Sequence, residues 1–170
     1  MTNWIYNTNS DNTARYTLGK HGERVLFCIG INPSTATPDN LDPTLKRVQA
    51  LANANNYDGW IMLNVYPQRA TDPNDMHPEK EEILHQENIK AIQQIAKKYG
   101  SIDILAAWGT NIKRRDYLRN CLNDITILLN KRANWLHLGE LTKRGHPRHP
   151  LYVPRNITFN KFDIHSYLRN

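Results

Sequence analysis

Long apolar runs are what this chain lacks most. No stretch approaches the roughly 18 apolar residues that a membrane-spanning helix needs, and mean hydropathy is low at −0.67. A membrane partner is therefore not expected. The leading residues, Met1-Thr2-Asn3-Trp4-Ile5-Tyr6, carry neither a charged start nor a long apolar core, so they do not read as a secretory signal. Cysteine is scarce. Only Cys28 and Cys121 occur, without metal-ligand spacing, and Cys28 falls in an apolar run where it reads as a small buried hydrophobe. Two isolated thiols fit a reducing, cytoplasmic setting. The phosphate loop Gly-x-x-x-x-Gly-Lys-Ser/Thr and the fingerprint Gly-x-Gly-x-x-Gly are both missing. Ser34 is not in a Gly-x-Ser-x-Gly elbow, which argues against a serine hydrolase. His146 and His149 lie close together, but no cysteine or acidic residue accompanies them, so neither a metal nor a cofactor is expected. No internal repeat or low-complexity linker occurs.

Acid is also short. Sixteen Asp and Glu face 22 Lys and Arg, giving a net charge of +6 and a pI of about 9.4. This balance favours an anionic partner: nucleic acid, nucleotide or another phosphate. The length of 170 residues predicts one domain, spanning 1–170, with enough chain to bury a core.

The most informative stretch is Val25-Leu26-Phe27-Cys28-Ile29-Gly30-Ile31-Asn32-Pro33-Ser34. Its apolar half reads as a strand buried on both faces. It then breaks into a Gly-x-Asn-Pro-Ser loop, which places polar groups at the carboxyl edge of a sheet, where open α/β folds bind ligands. The plainer reading is a turn that needs Gly30 and Pro33 only for its geometry. Trp60 to Tyr66, Ile102 to Gly109 and Trp135 to Gly139 predict three more core strands. Asn64 interrupts the first of these near its end, where a buried amide is either a structural tie or a site residue. Residues 14–18 predict a short edge strand, antiparallel to the core strand across a His21-Gly22 turn.

Helices are predicted between the strands. Asp42 followed by Pro43 marks a start, an N-cap and then a first-turn proline, with Leu45, Val48 and Leu51 as the buried stripe. Arg47 then falls on a polar face as a solvated charge. A second helix is expected from Pro78 to Tyr99, with Gly100 ending it. A third should run from Thr110 or Asn111 to about Cys121, its Lys113, Arg114, Arg115 and Arg119 forming a solvated basic face. Ile125 to Leu129 reads as a strand or the start of a loop, and the tail from Ile157 as a short strand and helix. The alternation implies a three-layer α/β/α sandwich with a mainly parallel sheet of about four strands. Asn32, Asn64, Trp108 and the loop carrying His146 and His149 should then share one edge. Lys143, Arg144 and Arg148 predict an exposed basic patch beside them.

Two resemblances add to this. Gly30-Ile31-Asn32-Pro33-Ser34-Thr35-Ala36, Asp42-Pro43-Thr44, Asn64-Val65-Tyr66, Arg69-Ala70-Thr71-Asp72-Pro73, Ala107-Trp108-Gly109 and Gly145 to Tyr152 resemble, in order, family sixteen-forty-three of the domains of unknown function. That resemblance implies no activity. More distantly, Gly30-Ile31-Asn32-Pro33, Ala107-Trp108-Gly109 and His146/His149-Pro150-Leu151 resemble motifs of the uracil-DNA glycosylase superfamily. This second resemblance implies Asn32 as a water-positioning amide and His146 or His149 as the histidine that stabilises the departing base. It implies Leu151 as the wedge that fills the gap left by a flipped nucleotide. It departs from the pattern at Ser34-Thr35 and in the extra His-Pro.

The expectation is thus a glycosylase-like enzyme acting on a nucleobase or nucleotide; with DNA as the substrate, the base must leave the stack. Asn32, His146 and His149 are its candidate catalytic residues. Gly30, Pro33, Ser34, Asn64, Trp108 and Leu151 are the candidate substrate contacts, and Lys143, Arg144 and Arg148 the nucleic-acid contacts. The alternatives are a non-catalytic nucleic-acid or nucleotide binding module, or an unrelated phosphate-substrate enzyme.

Overall fold

A computed structural model describes residues 3–170; Met1 and Thr2, which begin the segment read as no secretory signal, lie outside the described residues. The strands are β1 (Trp4–Thr8), β2 (Arg15–Lys20), β3 (Val25–Gly30), β4 (Gly59–Asn64), β5 (Ile102–Ala106), β6 (Ala133–Leu138) and β7 (Phe159–Lys161). The helices are α1 (Pro43–Ala54), α2 (Glu82–Ala96), α3 (Tyr117–Leu129) and α4 (Ile164–Arg169). All seven strands form one sheet in the order β1-β2-β4-β3-β5-β6-β7.

β3 organises the packing because every one of its residues is buried and alternate side chains serve opposite faces. Phe27 and Ile29 join Ile61, Leu63 and Ile104 in a core that α2 and α3 cover with Ile92, Ile95, Leu122 and Ile125. Leu26 and Cys28 join Trp60, Met62 and Leu105 in a second core covered by Leu45, Val48 and Leu51 of α1. Each such side chain stabilises the fold by about 1.5–3 kcal/mol on burial. α1 starts as expected: the Asp42 carboxylate accepts the Leu45 N–H at 2.9 Å, and Pro43 fills the first turn.

The sheet is larger than the four parallel strands expected, and it is mixed. β4, β3, β5 and β6 are the parallel centre, while β1, β2 and β7 extend it antiparallel. β2 does not lie beside β3, because β4 and β5 occupy both edges of β3. It pairs on the far side of β4 instead, Gly19 opposite Ile61. That approach requires a glycine. A Cβ on Gly19 would stand 2.1 Å from the Trp60 carbonyl oxygen and 2.7 Å from the Ile61 Cα, and backbone cannot move aside cheaply. Gly19→Ala is therefore expected to cost about 3 kcal/mol or more, read as a fall in urea midpoint. An unchanged midpoint would mean that β2 is not held in this register.

Two helices also differ from expectation. α2 begins at Glu82 rather than Pro78, because the Glu81 N–H is drawn to the Tyr66 hydroxyl at 3.1 Å. The third helix is displaced. A 3-10 turn takes Gly109–Lys113, and α3 then absorbs Ile125 to Leu129, whose apolar residues continue the helical stripe of Leu118, Cys121 and Leu122. Among the described residues no helix is long and apolar enough to cross a membrane.

The arginines read as solvated charges are staples. Arg47 donates to the carbonyls of Pro150 and Val153 at 3.2 and 2.8 Å, tying α1 to the turn after His149. Arg115 donates to the carbonyls of Asn74, Met76 and His77, and Arg119 to those of Tyr167 and Leu168.

Candidate functional site

β3 and β4 end together, Gly30 opposite Asn64. Beyond them the backbone stays paired: Val65 N–H donates to the Gly30 carbonyl at 2.8 Å and Tyr66 N–H to that of Ile31 at 2.9 Å. A cleft of about 170 Å³ opens at this edge, lined by Gly30, Asn32, Pro33, Ser34, Asn64, Trp108 and His149. Arg15, Asp42, Thr44, Thr71 and Asn111 complete its polar lining.

Asn64 is the unusual member. It is 1% exposed, and both its side-chain nitrogen and oxygen are buried without a hydrogen-bond partner. Its backbone carbonyl is satisfied by the Asn88 amide at 3.0 Å, so only the side chain is left over. Such an orphaned pair costs free energy unless a ligand meets it.

Asn32 is arranged differently. Its amide nitrogen donates to the carbonyls of Pro33, Gln68 and Ala70 at 3.1, 3.3 and 2.9 Å. This stitches the Asn-Pro-Ser loop to the loop after β4 and leaves the amide oxygen as the group able to receive a proton donor. Ser34 is held by Thr71, hydroxyl to hydroxyl at 3.0 Å.

Two guanidinium groups brace the same loop. Arg15 donates to the Ala36 carbonyl at 3.3 Å, and Arg69 to the Ser34 and Ala36 carbonyls at 2.6 and 3.2 Å. Neither makes a salt bridge among the described residues, and both keep a buried, unpartnered Nε. Burial, and then the neighbouring Arg69 charge, push Arg15 down to about 10, so it stays cationic at neutral pH. The cleft is consequently electropositive, with Asp42 as its lining carboxylate and that group already engaged as the cap of α1.

The two histidines separate. His149 lines the cleft. Its Nδ1 accepts the Leu151 N–H at 3.2 Å, so the neutral ring carries its proton on Nε2. Burial holds its pKa below the ordinary histidine value, with Asp42 opposing. His146 instead lines a neighbouring cavity of about 460 Å³, so of the two histidines that the sequence left open, His149 is the one at the cleft. The reason is a chain of hydrogen bonds. The Trp108 indole N–H donates to the Tyr167 hydroxyl at 3.0 Å, and that hydroxyl meets His146 Nδ1 at 2.8 Å. That hydroxyl can donate to a bare Nδ1 or accept from an Nδ1–H, and in either case the chain holds the His146 ring against Trp108 and away from the cleft. Burial and the cations Lys113, Arg119 and Arg144 lower its pKa.

Leu151 does not line the cleft. It stands 38% exposed on the turn Pro150–Tyr152 that follows His149. The expected basic patch is divided: Arg144 faces the second cavity, Lys143 is exposed, and Arg148 is spent on the Glu140 carbonyl at 2.8 Å. Neither cysteine offers a nucleophile, since burial raises the Cys28 thiol well above its usual range and pushes Cys121 up to about 12.

A family model described as Protein of unknown function (DUF1643) matches residues 15–151. The chain belongs to that family. No curated protein and no solved structure matches it. The span shared with the DUF1643 family takes in every cleft residue, from Arg15 to His149, and ends before β7 and α4.

Arg15 is the DUF1643 cleft residue that sequence reasoning missed. Its signal was a cation at the start of a strand whose middle is uncharged, with no acid in that strand to pair with it. Asp42 was seen, but only as a cap.

Three histidines, His137, His146 and His149, have pKa values lowered chiefly by burial. The unfolded chain therefore takes up protons first as pH falls through about 6.5. Their stabilisation is full above that pH and is lost below it, as pH drops toward the folded values. The melting temperature of this DUF1643 protein should fall between pH 7 and pH 5, and His149→Gln should flatten part of the slope. A melting temperature constant across that window would contradict the assignment of neutral, buried rings.

Proposed function

We propose that the cleft binds a nucleobase or nucleotide and that the protein acts on it as a glycosylase-like enzyme. Asn64 is the observation that carries this reading. An amide with its donor and its acceptor both vacant, fixed at a strand end, matches the adjacent carbonyl and N–H on the edge of a nucleobase. The cleft volume suits one ring rather than a drug-sized molecule.

The other groups fit the chemistry of breaking a base–sugar bond. The electron pair of that bond leaves with the base, and the sugar takes on oxocarbenium character. His149, neutral with its proton on Nε2, is a donor for the developing charge on the base. The Asn32 oxygen, held by three bonds to its own amide nitrogen, is an acceptor for an attacking water. The cationic Arg15 adds favourable potential for an electron-rich leaving group. The likeness of Gly30-Ile31-Asn32-Pro33, Ala107-Trp108-Gly109 and His149-Pro150-Leu151 to uracil-DNA glycosylase motifs supports the same roles. The likeness leaves His146 or His149 as the histidine, of which His149 is the one that lines the cleft, and it gives Leu151 as the wedge. On a nucleic-acid substrate, Lys143 and Arg144 are the backbone contacts.

A second reading, a binding module without turnover, is favoured by one observation. Asp42 already caps α1, so the cleft has no uncommitted carboxylate to accept a proton from water. The deciding experiment incubates the protein with oligonucleotides carrying uracil, hypoxanthine or modified pyrimidines, and with the free nucleosides, and measures released base. Release from one member supports the enzyme. Binding without release supports the module, and neither binding nor release removes the proposal.

A further inference from the structure

The cavity that His146 lines lies between the loop after β6 and the tail, outside the cleft. Its volume of about 460 Å³ falls in the range of small-molecule sites. Four cations line it, Lys113, Arg119, Arg144 and Lys161, against one side-chain carboxylate, Asp163. That carboxylate is already used, accepting the Ser166 N–H at 2.9 Å to cap α4. Arg119 is fixed by its carbonyl bonds and lies over the Tyr167 ring at 5.4 Å. The remaining three cations are exposed and make no salt bridge among the described residues.

The aromatic lining is equally definite. Phe162 and Tyr167 pack with centroids 5.3 Å apart, both facing the cavity. His137, 8% exposed, lines it as well and keeps a buried Nδ1 with no hydrogen-bond partner. Unpaired cations around an aromatic wall, with an orphaned ring nitrogen in the lining, ask for a ligand that combines negative charge with a planar ring.

We propose that this cavity is a second binding site, distinct from the cleft, that takes a mononucleotide through its phosphate and its base. The three unpaired cations and Arg119 hold the phosphate, and the ring lies against Phe162 and Tyr167. A cavity of this size suits one nucleotide.

The test is calorimetric titration of the whole protein with uridine and adenosine 5′-monophosphates, the matching nucleosides, and a short single-stranded oligonucleotide. It is run on the wild type, on the triple variant Lys113→Ala, Arg144→Ala, Lys161→Ala, and on Asn64→Leu. The exposed triple should melt as the wild type does. A monophosphate should bind the wild type, weaken with salt, and bind the triple about tenfold or more weakly, while Asn64→Leu retains it. Nucleosides should bind this site about tenfold or more weakly than monophosphates. Monophosphate binding equal in wild type and triple, or lost in Asn64→Leu alone, would place the nucleotide elsewhere and overturn the proposal. So would nucleosides binding as well as nucleotides, binding of the oligonucleotide alone, or no binding. Absence of nucleobase binding to the wild-type cleft, with monophosphate binding intact here, would count against the cleft reading only.

Discussion

Asn64→Leu should melt higher than the wild type and bind a nucleobase far more weakly. Leucine has the same branched heavy-atom skeleton as asparagine and removes the two buried polar atoms that lack partners. Deleting an unsatisfied buried pair is worth about 1–3 kcal/mol to the free protein. For a chain of this size each kcal/mol raises the melting temperature by about 2–4 °C. The same change removes the donor and acceptor that a base edge would meet, so affinity should fall by about 10- to 100-fold. Gain of stability with loss of binding is the signature of a site residue. A variant that melts lower than the wild type would show that the Asn64 side chain holds the fold and not a ligand.

Asn32 should behave in the opposite way. Its amide nitrogen donates to three backbone carbonyls, and the two loops it joins form one side of the cleft. Asn32→Ala should cost about 1–3 kcal/mol. Asn32→Asp should cost more, about 3 kcal/mol or above, because a carboxylate would face three carbonyl oxygens with no proton to donate. If the Asn32 oxygen positions water, single-turnover base release should also fall by about 100-fold in Asn32→Ala, while base affinity in the folded fraction stays near that of the wild type. Melting curves and single-turnover assays at a temperature well below the transition separate these effects. An Asn32→Asp variant as stable as the wild type would contradict the stitching of the two loops.

The parallel centre of the sheet was legible because each of its strands is an apolar run ending in a glycine, an amide or a polar loop. The antiparallel margins were legible only in part: the strand at 14–18 and the short strand and helix of the tail were expected, but their places in the sheet were not. β1 and β7 are short and mixed in pattern, and the neighbour of β2 is decided by which edges of β3 are already taken, a long-range competition that local residues do not encode. Ile125 to Leu129 was ambiguous by itself, since a short apolar run suits a strand or a helix. Only its phase with Leu118, Cys121 and Leu122 shows the helix.

The cleft divides along the same line. Asn32, Asn64 and Trp108 follow predicted strand ends, so their common edge could be read from the order of elements. Arg15 enters from β2, and its place depends on the β2–β4 pairing. Which histidine reaches the cleft depends on Tyr167, distant in sequence, whose hydroxyl ties His146 to Trp108. The arginines that looked solvated find carbonyls in turns distant in sequence, and a side chain that long reports little about where it ends.

The most direct measurement follows the Asn64 side-chain amide by nitrogen-15 NMR while uracil, and separately hypoxanthine, is added to the whole protein. A base read by Asn64 should move its two amide protons downfield, and the same base should leave the spectrum of Asn64→Leu unchanged. The His149 ring should shift together with Asn64. An Asn64 amide that stays fixed while one of these bases binds elsewhere on the protein would contradict the account.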